Sequence, residues 1–113
     1  MAYELRGKKP GVPEGEAFRM ALITWPMLAQ VTQKFAPREC SPCKEWFGAE
    51  SYGHGLDETQ ALRLAAALEA RFANGEVQDY IAENYQTDER WLSIGDMRDF
   101  VVFLRTCGGL WIS

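Results

Sequence analysis

Ala17-Phe18-Arg19-Met20-Ala21-Leu22-Ile23-Thr24-Trp25-Pro26 is the stretch on which the fold turns. Phe18, Met20 and Leu22 alternate with Ala17, Arg19 and Ala21, a period of two that predicts a half-buried strand. Taken alone, the same residues are also good helix formers. Thr24-Trp25-Pro26 decides between the readings. Thr24 is placed to cap a helix, and Pro26 falls in its first turn, where N–H groups lack intrahelical partners anyway. A single helix running through Pro26 would be kinked at a cost of about 3 kcal/mol. The expectation is therefore a strand over 17–23 and a helix over 25–35. Trp25, Leu28, Val31 and Phe35 share a face of that helix, Thr32 lies beside them, and Pro37 stops it.

Downstream, residues 36–56 (APRECSPCKEWFGAESYGHGL) read as irregular. A loop of that length in a small domain points to a function or a staple. Asp57-x-x-Gln60 is a capping-box variant opening a helix whose apolar stripe is Ala61, Leu64, Ala65, Leu68 and Phe72. Asn74-Gly75 supplies its left-handed stop. A short helix should resume between 75 and 85 around Val77, Tyr80, Ile81 and Tyr85, followed by a polar connection over Gln86 to Arg90. Ser93-x-x-Asp96 caps a last helix, in which Met97, Phe100, Val101 and Leu104 repeat at helical spacing and Phe103 and Cys107 extend the face. Gly108-Gly109 ends it. Leu110-Trp111-Ile112 is expected to pair as a strand with 17–23. Upstream, Gly7, Pro10, Gly11, Pro13 and Gly15 among charged residues make 1–16 a flexible N-terminal arm, with 17–113 as one domain. The expected class is α+β, mainly helical, with three to four helices packed on a small two-strand pairing.

On these elements the chain resembles a loose group of small bacterial and phage proteins without an assigned activity. The resemblance runs from about Trp25 to Ile112. It rests on Gly53-His54-Gly55-Leu56, on Ala61-Leu62-Arg63-Leu64-Ala65-Ala66-Ala67-Leu68-Glu69, and on Met97-Arg98-Asp99-Phe100 continuing to Phe103-Leu104-Arg105 and Gly108-Gly109. It implies no catalytic residues.

The chain has 113 residues, 47% of them hydrophobic and 25% charged, which fits one folded domain and excludes a disordered chain. The net charge of −4 argues against direct nucleic-acid binding, which needs clustered cations. Met1 to Lys9 lacks the apolar core of a signal peptide, and no run approaches the length of a membrane helix. A cytoplasmic protein without membrane contact is expected, its cysteines being thiols or metal ligands.

The sharpest chemical signal is Cys40-Ser41-Pro42-Cys43, a spacing at which two thiolates can share one zinc. With three cysteines and one histidine in the chain, only one four-ligand set can be written: Cys40, Cys43, His54 and Cys107. Such a site would staple the long loop to the last helix. The pair could instead be a redox dithiol, although it follows a helix where redox pairs normally precede one. A Cys–His hydrolase, with Cys107 or Cys43 as nucleophile, would need an orienting group that the pattern does not supply. The pairs Asp57/Glu58, Asp88/Glu89 and Asp96/Asp99 read as helix-start or solvated charges.

Charge and aromatic residues point elsewhere. Residues 57–99 hold 10 acidic and 4 basic side chains, whereas 1–56 are close to neutral. An acidic face can steer a basic partner surface. Trp25 and Trp111 are expected in the core. Trp46, Tyr52 and Trp91 are expected at an interface, with Glu76, Asp79 and Glu83 as its acidic members. The expected function is a non-catalytic protein-binding module, an inhibitor, immunity or anti-defence factor with a protein partner and no cofactor. The alternative is a zinc-stapled or dithiol redox module on the Cys/His set.

Overall fold

The computed structural model describes residues 2–40 and 55–112. Cys43, Trp46, Tyr52 and His54 lie outside the described residues. The elements are β1 (Ala2–Gly7), a single 3-10 turn (Pro13–Gly15), β2 (Ala17–Ala21), α1 (Trp25–Phe35), α2 (Pro37–Cys40), β3 (Gly55–Leu56), α3 (Glu58–Ala73), α4 (Glu76–Asn84), α5 (Ile94–Thr106) and β4 (Leu110–Ile112). The class is α+β and mainly helical, as the sequence implies.

The sheet is larger than expected. It has four antiparallel strands in the order β2-β1-β4-β3. The segments expected to pair with each other, 17–23 and 110–112, each pair instead with β1. Leu5 stands opposite Phe18 on one side and Ile112 on the other. The segment 1–16, expected as a flexible arm, thus supplies a central strand. Its glycines and prolines fall after the strand, where the chain turns, while the Glu4-Leu5-Arg6 alternation lies within it. Leu5 is fully buried.

The rest of that segment closes the end of α5. A helix leaves its last carbonyls without intrahelical donors. Here Gly11 N–H donates to Thr106 O (3.0 Å), Lys9 N–H to Cys107 O (2.9 Å) and Lys8 N–H to Gly109 O (2.8 Å). The approach is close enough to require glycine: a Cβ on Gly15 would stand 2.2 Å from Thr106 O. Gly108 and Gly109 turn the chain from α5 into β4 with φ of +65° and +94°, a region open to glycine but strained for other residues.

The helix starts divide by mechanism. Asp57 and Gln60 form the full reciprocal box, with bonds of 2.7 Å and 2.9 Å. Ser93 accepts from Asp96 N–H at 2.9 Å. Thr24 sits at the N-cap of α1 but makes no side-chain cap bond, and its carbonyl accepts from Met27 and Leu28 N–H. Strand β2 ends at Ala21 because 22–24 form the turn into α1, with Thr24 N–H donating to Ala21 O. Gly75, at φ +83°, separates α3 from α4.

One core joins the layers. The sheet contributes Leu5, Met20, Leu56, Leu110 and Ile112, and the helices contribute Trp25, Leu28, Leu64, Leu68, Ile81, Met97, Phe100 and Phe103. Aromatic rings tie the two together. Phe18 of β2 lies 5.3 Å from Phe100, and Trp25 meets Phe100 edge-on at 6.4 Å. Thr32, the one buried polar residue among those described, donates to Leu28 O at 2.8 Å and so carries no unmet donor into the core.

Candidate functional site

The apolar side of α4 is anchored by Val77 and Ile81, both fully buried. That anchoring turns Glu76, Asp79 and Glu83 to solvent. Glu76 is tied to Arg71 at 2.7 Å, whereas neither Asp79 nor Glu83 forms an ion pair with a described residue. The next segment folds back on itself. Thr87 N–H donates to Arg90 O (2.9 Å) and Leu92 N–H to Tyr85 O (2.7 Å), with Gln86 opposite Trp91 in an antiparallel bridge. This narrow hairpin is pinned by Leu92, fully buried, and by Tyr85, whose hydroxyl donates to Gln30 Oε1 at 2.7 Å. Burial, reinforced by neighbouring Tyr80, raises the Tyr85 pKa above its ordinary value, so its hydroxyl remains a donor at neutral pH.

The hairpin presents Asp88 and Glu89 at its tip and Trp91 on its return leg, all exposed. Trp91 is 61% exposed, with Leu92 beside it pointing into the core. The result is a helix that exposes Glu76, Asp79 and Glu83 followed by a hairpin that exposes Asp88, Glu89, Arg90 and Trp91, both tied to the core. Of the six residues predicted as partner-binding, the structure places Glu76, Asp79, Glu83 and Trp91 on this one segment. Trp46 and Tyr52 lie outside the described residues. Asp88 and Glu89 are exposed at the tip of the hairpin that follows α4, although the sequence marks them only as a solvated pair.

The cysteines are otherwise disposed. Cys40 is buried at the end of α2, and Cys107 is buried where α5 meets the N-terminal segment. The Cys107 thiol points to Leu104 O at 3.5 Å, and burial pushes its pKa up. A raised pKa disfavours the thiolate that both nucleophilic attack and zinc ligation need. Among the described residues no group of three His, Cys, Asp or Glu side chains could hold a metal ion. Cys43 and His54 of the predicted set are not among them.

Two further surfaces had no signal in the sequence reading. A groove of about 480 Å³ between α3, α4 and α5 is floored by Phe72, Val101 and Val102. Its charged wall is largely satisfied internally: Arg105 makes two bonds to Glu69, and Arg98 lies over the Phe72 ring at 5.6 Å. Trp111, expected in the core, is 43% exposed on the outer face of the sheet, with the Lys8 ammonium 5.9 Å from its ring centre. In a strand alternate residues face opposite sides, and Leu110 and Ile112 take the core side.

No helix among the described residues is long and apolar enough to cross a membrane. Comparison of the chain with protein-family models, curated proteins and solved structures gives no match in any of the three.

Proposed function

We propose that this chain is a protein-binding module that docks a basic surface of another protein through α4 and the 86–91 hairpin. The observation that carries the reading is exposed Trp91 in a hairpin that also exposes Asp88 and Glu89, directly after a helix that exposes Asp79 and Glu83; none of the four carboxylates forms an ion pair with a described residue, and Arg90 is the one cation exposed in the hairpin. An exposed indole supplies a large contact area with little side-chain entropy to lose. Carboxylates on the same helix and hairpin raise the encounter rate with a cationic surface and disfavour acidic ones. Mounting both on elements fixed by Ile81, Tyr85 and Leu92 limits the ordering cost of binding. An inhibitor or immunity factor of bacterial or phage origin, masking a cationic functional surface of its target, is the kind of binding module this chemistry suits.

The test is affinity capture from bacterial extract with the wild-type chain and with the combined Asp79→Lys, Glu83→Lys, Trp91→Ala variant. All three side chains are exposed, so the variant keeps the core. A stoichiometric partner held by the wild type at low salt, released as salt rises and lost by the variant, is expected. Capture of the same protein by both chains, or of none by either, overturns the reading.

A further inference from the structure

The sheet ends on one side in β2, and the hydrogen-bond alternation fixes what that edge offers. Gly7 N–H donates to Glu16 O at 2.9 Å, which makes Gly7 and Glu16 a bonded pair. In an antiparallel ladder bonded and non-bonded pairs alternate. Phe18 and Met20 therefore bond inward to Leu5 and Tyr3, whereas the backbones of Ala17, Arg19 and Ala21 face away from β1. Ala21 O is taken by Thr24 N–H. The N–H and C=O of Ala17 and Arg19 and the N–H of Ala21 have no partner among the described residues. All three residues are exposed, and the chain continues into Leu22, 44% exposed, and Ile23, 82% exposed. The opposite edge, β3, is only Gly55–Leu56 and runs at once into α3.

The side chains set the sign of what can pair there. On the outer face Glu4 lies opposite Arg19 and accepts from its Nε–H at 2.9 Å, and it forms an ion pair with Arg6, also at 2.9 Å. Two guanidiniums share one carboxylate, and the Lys8 ammonium lies over Trp111 on the same face, so three cations stand against one carboxylate there, with Arg19 on the edge strand itself. A charge on an edge strand ordinarily guards against pairing. Here it selects. A second copy meeting β2 antiparallel would set Arg19 directly opposite its own equivalent, or diagonal to it at about 7–8 Å, and like charges so placed are destabilising. A strand with a carboxylate opposite Arg19 would instead extend the cross-strand series from Arg6 through Glu4 and Arg19 to a further acid.

We propose that the β2 edge accepts an extended acidic segment of a partner protein as a fifth strand, held by the Ala17 and Arg19 backbone, by the Arg19 guanidinium and by Leu22 and Ile23 at its end. The surface is separate from α4 and the 86–91 hairpin, and the inference stands without them.

A short capped peptide of alternating Val and Glu, with its Val/Lys counterpart as control, is titrated onto the full chain while backbone amide shifts and hydrogen exchange are read. The Val/Glu peptide is expected to slow exchange at Ala17, Arg19 and Ala21, and the Val/Lys peptide to leave those amides unchanged. Arg19→Ala should weaken binding about threefold and flatten its salt dependence. Arg19→Pro removes the outward N–H while sparing the ladder to β1, a position where an edge tolerates proline, and should cost about tenfold or more. Far-UV circular dichroism checks that this variant is folded. If it is not, the exchange pattern and Arg19→Ala decide alone. Equal binding of both peptides, protection confined to other strands, or no protection at any peptide concentration overturns the proposal. Arg19 protection that grows with protein concentration in the absence of peptide overturns it in favour of a second copy.

Discussion

Cys107 closes α5 with no exposed surface, its thiol directed at Leu104 O and its carbonyl accepting from Lys9 N–H. Burial lifts its pKa, and the backbone groups nearby only partly counter that. The sign for stability follows from linkage. A thiol whose pKa is higher folded than unfolded makes its full contribution below the unfolded value of about 8.5, and loses it as pH rises toward the folded value. Tyr85 acts in the same direction from its ordinary value of 10.0 upward. The urea midpoint is expected to hold steady through neutral pH and to fall as pH rises past about 8.5. In Cys107→Ala the first part of that fall should flatten and the Tyr85 part should remain. An unchanged pH profile in that variant would show that Cys107 ionises as freely in the folded chain as in the unfolded one. The tryptophans make the complementary point. Trp25 is 2% exposed, in the core as the sequence implies, whereas Trp91 is 61% exposed. Trp111, expected in the core, is 43% exposed, because Leu110 and Ile112 claim the core side of a three-residue strand.

Among the elements, two helices of one core start by different means, and that difference can be measured. Asp57 bonds Gln60 N–H while Gln60 bonds Asp57 N–H, so two otherwise orphaned donors depend on one pair of side chains. Thr24 holds the equivalent position in α1 without a side-chain cap bond. Asp57→Ala is expected to destabilise the chain by about 1 kcal/mol. Thr24→Ala should stay within about 0.5 kcal/mol, because only its backbone serves the helix. Chemical denaturation of the two variants checks both values, and equal losses would contradict the assigned roles. The four longer helices were legible because their starts and stops are written in a few nearby residues, such as Asp57 and Gln60, Ser93 and Asp96, Asn74-Gly75 and Gly108-Gly109, whereas the short α2 falls in 36–56, which reads as irregular. The sheet was not. Strand pairing joins residues far apart in the chain, and Ala2–Gly7 is too short and too charged to announce itself beside the glycines and prolines that follow. The acidic surface was partly legible, since helical spacing alone puts Glu76, Asp79 and Glu83 on one side. The placing of Asp88 and Glu89 at a hairpin tip needs the fold-back of 86–91, which depends on Leu92 and Tyr85 reaching the core.

The whole molecule depends on its first residues to a degree that their composition hides. β1 is the strand through which β2 joins β4, so without it the sheet separates into a lone β2 and a two-strand remnant. The following residues satisfy the Thr106, Cys107 and Gly109 carbonyls, and Gly15 packs on the end of α5. Leu5 fills the space between Phe18 and Ile112 in register. A small domain retains little net stability, roughly 5–15 kcal/mol, against which the loss of a central strand, a buried leucine and a helix terminus is large. Removal of residues 1–9 is therefore expected to abolish cooperative unfolding and near-ultraviolet dichroism while leaving part of the helical far-ultraviolet signal, since α3 and α5 keep their N-caps, Asp57 and Ser93. A truncated chain that still unfolds cooperatively, with a midpoint close to that of the full chain, would show that β2 and β4 can close the sheet without β1. Leu5→Ala separates the packing from the pairing. It leaves the ladder intact, empties one core position and should cost about 2–5 kcal/mol, so cooperative but weakened unfolding in that variant, beside its loss in the truncation, would assign the difference to the strand itself.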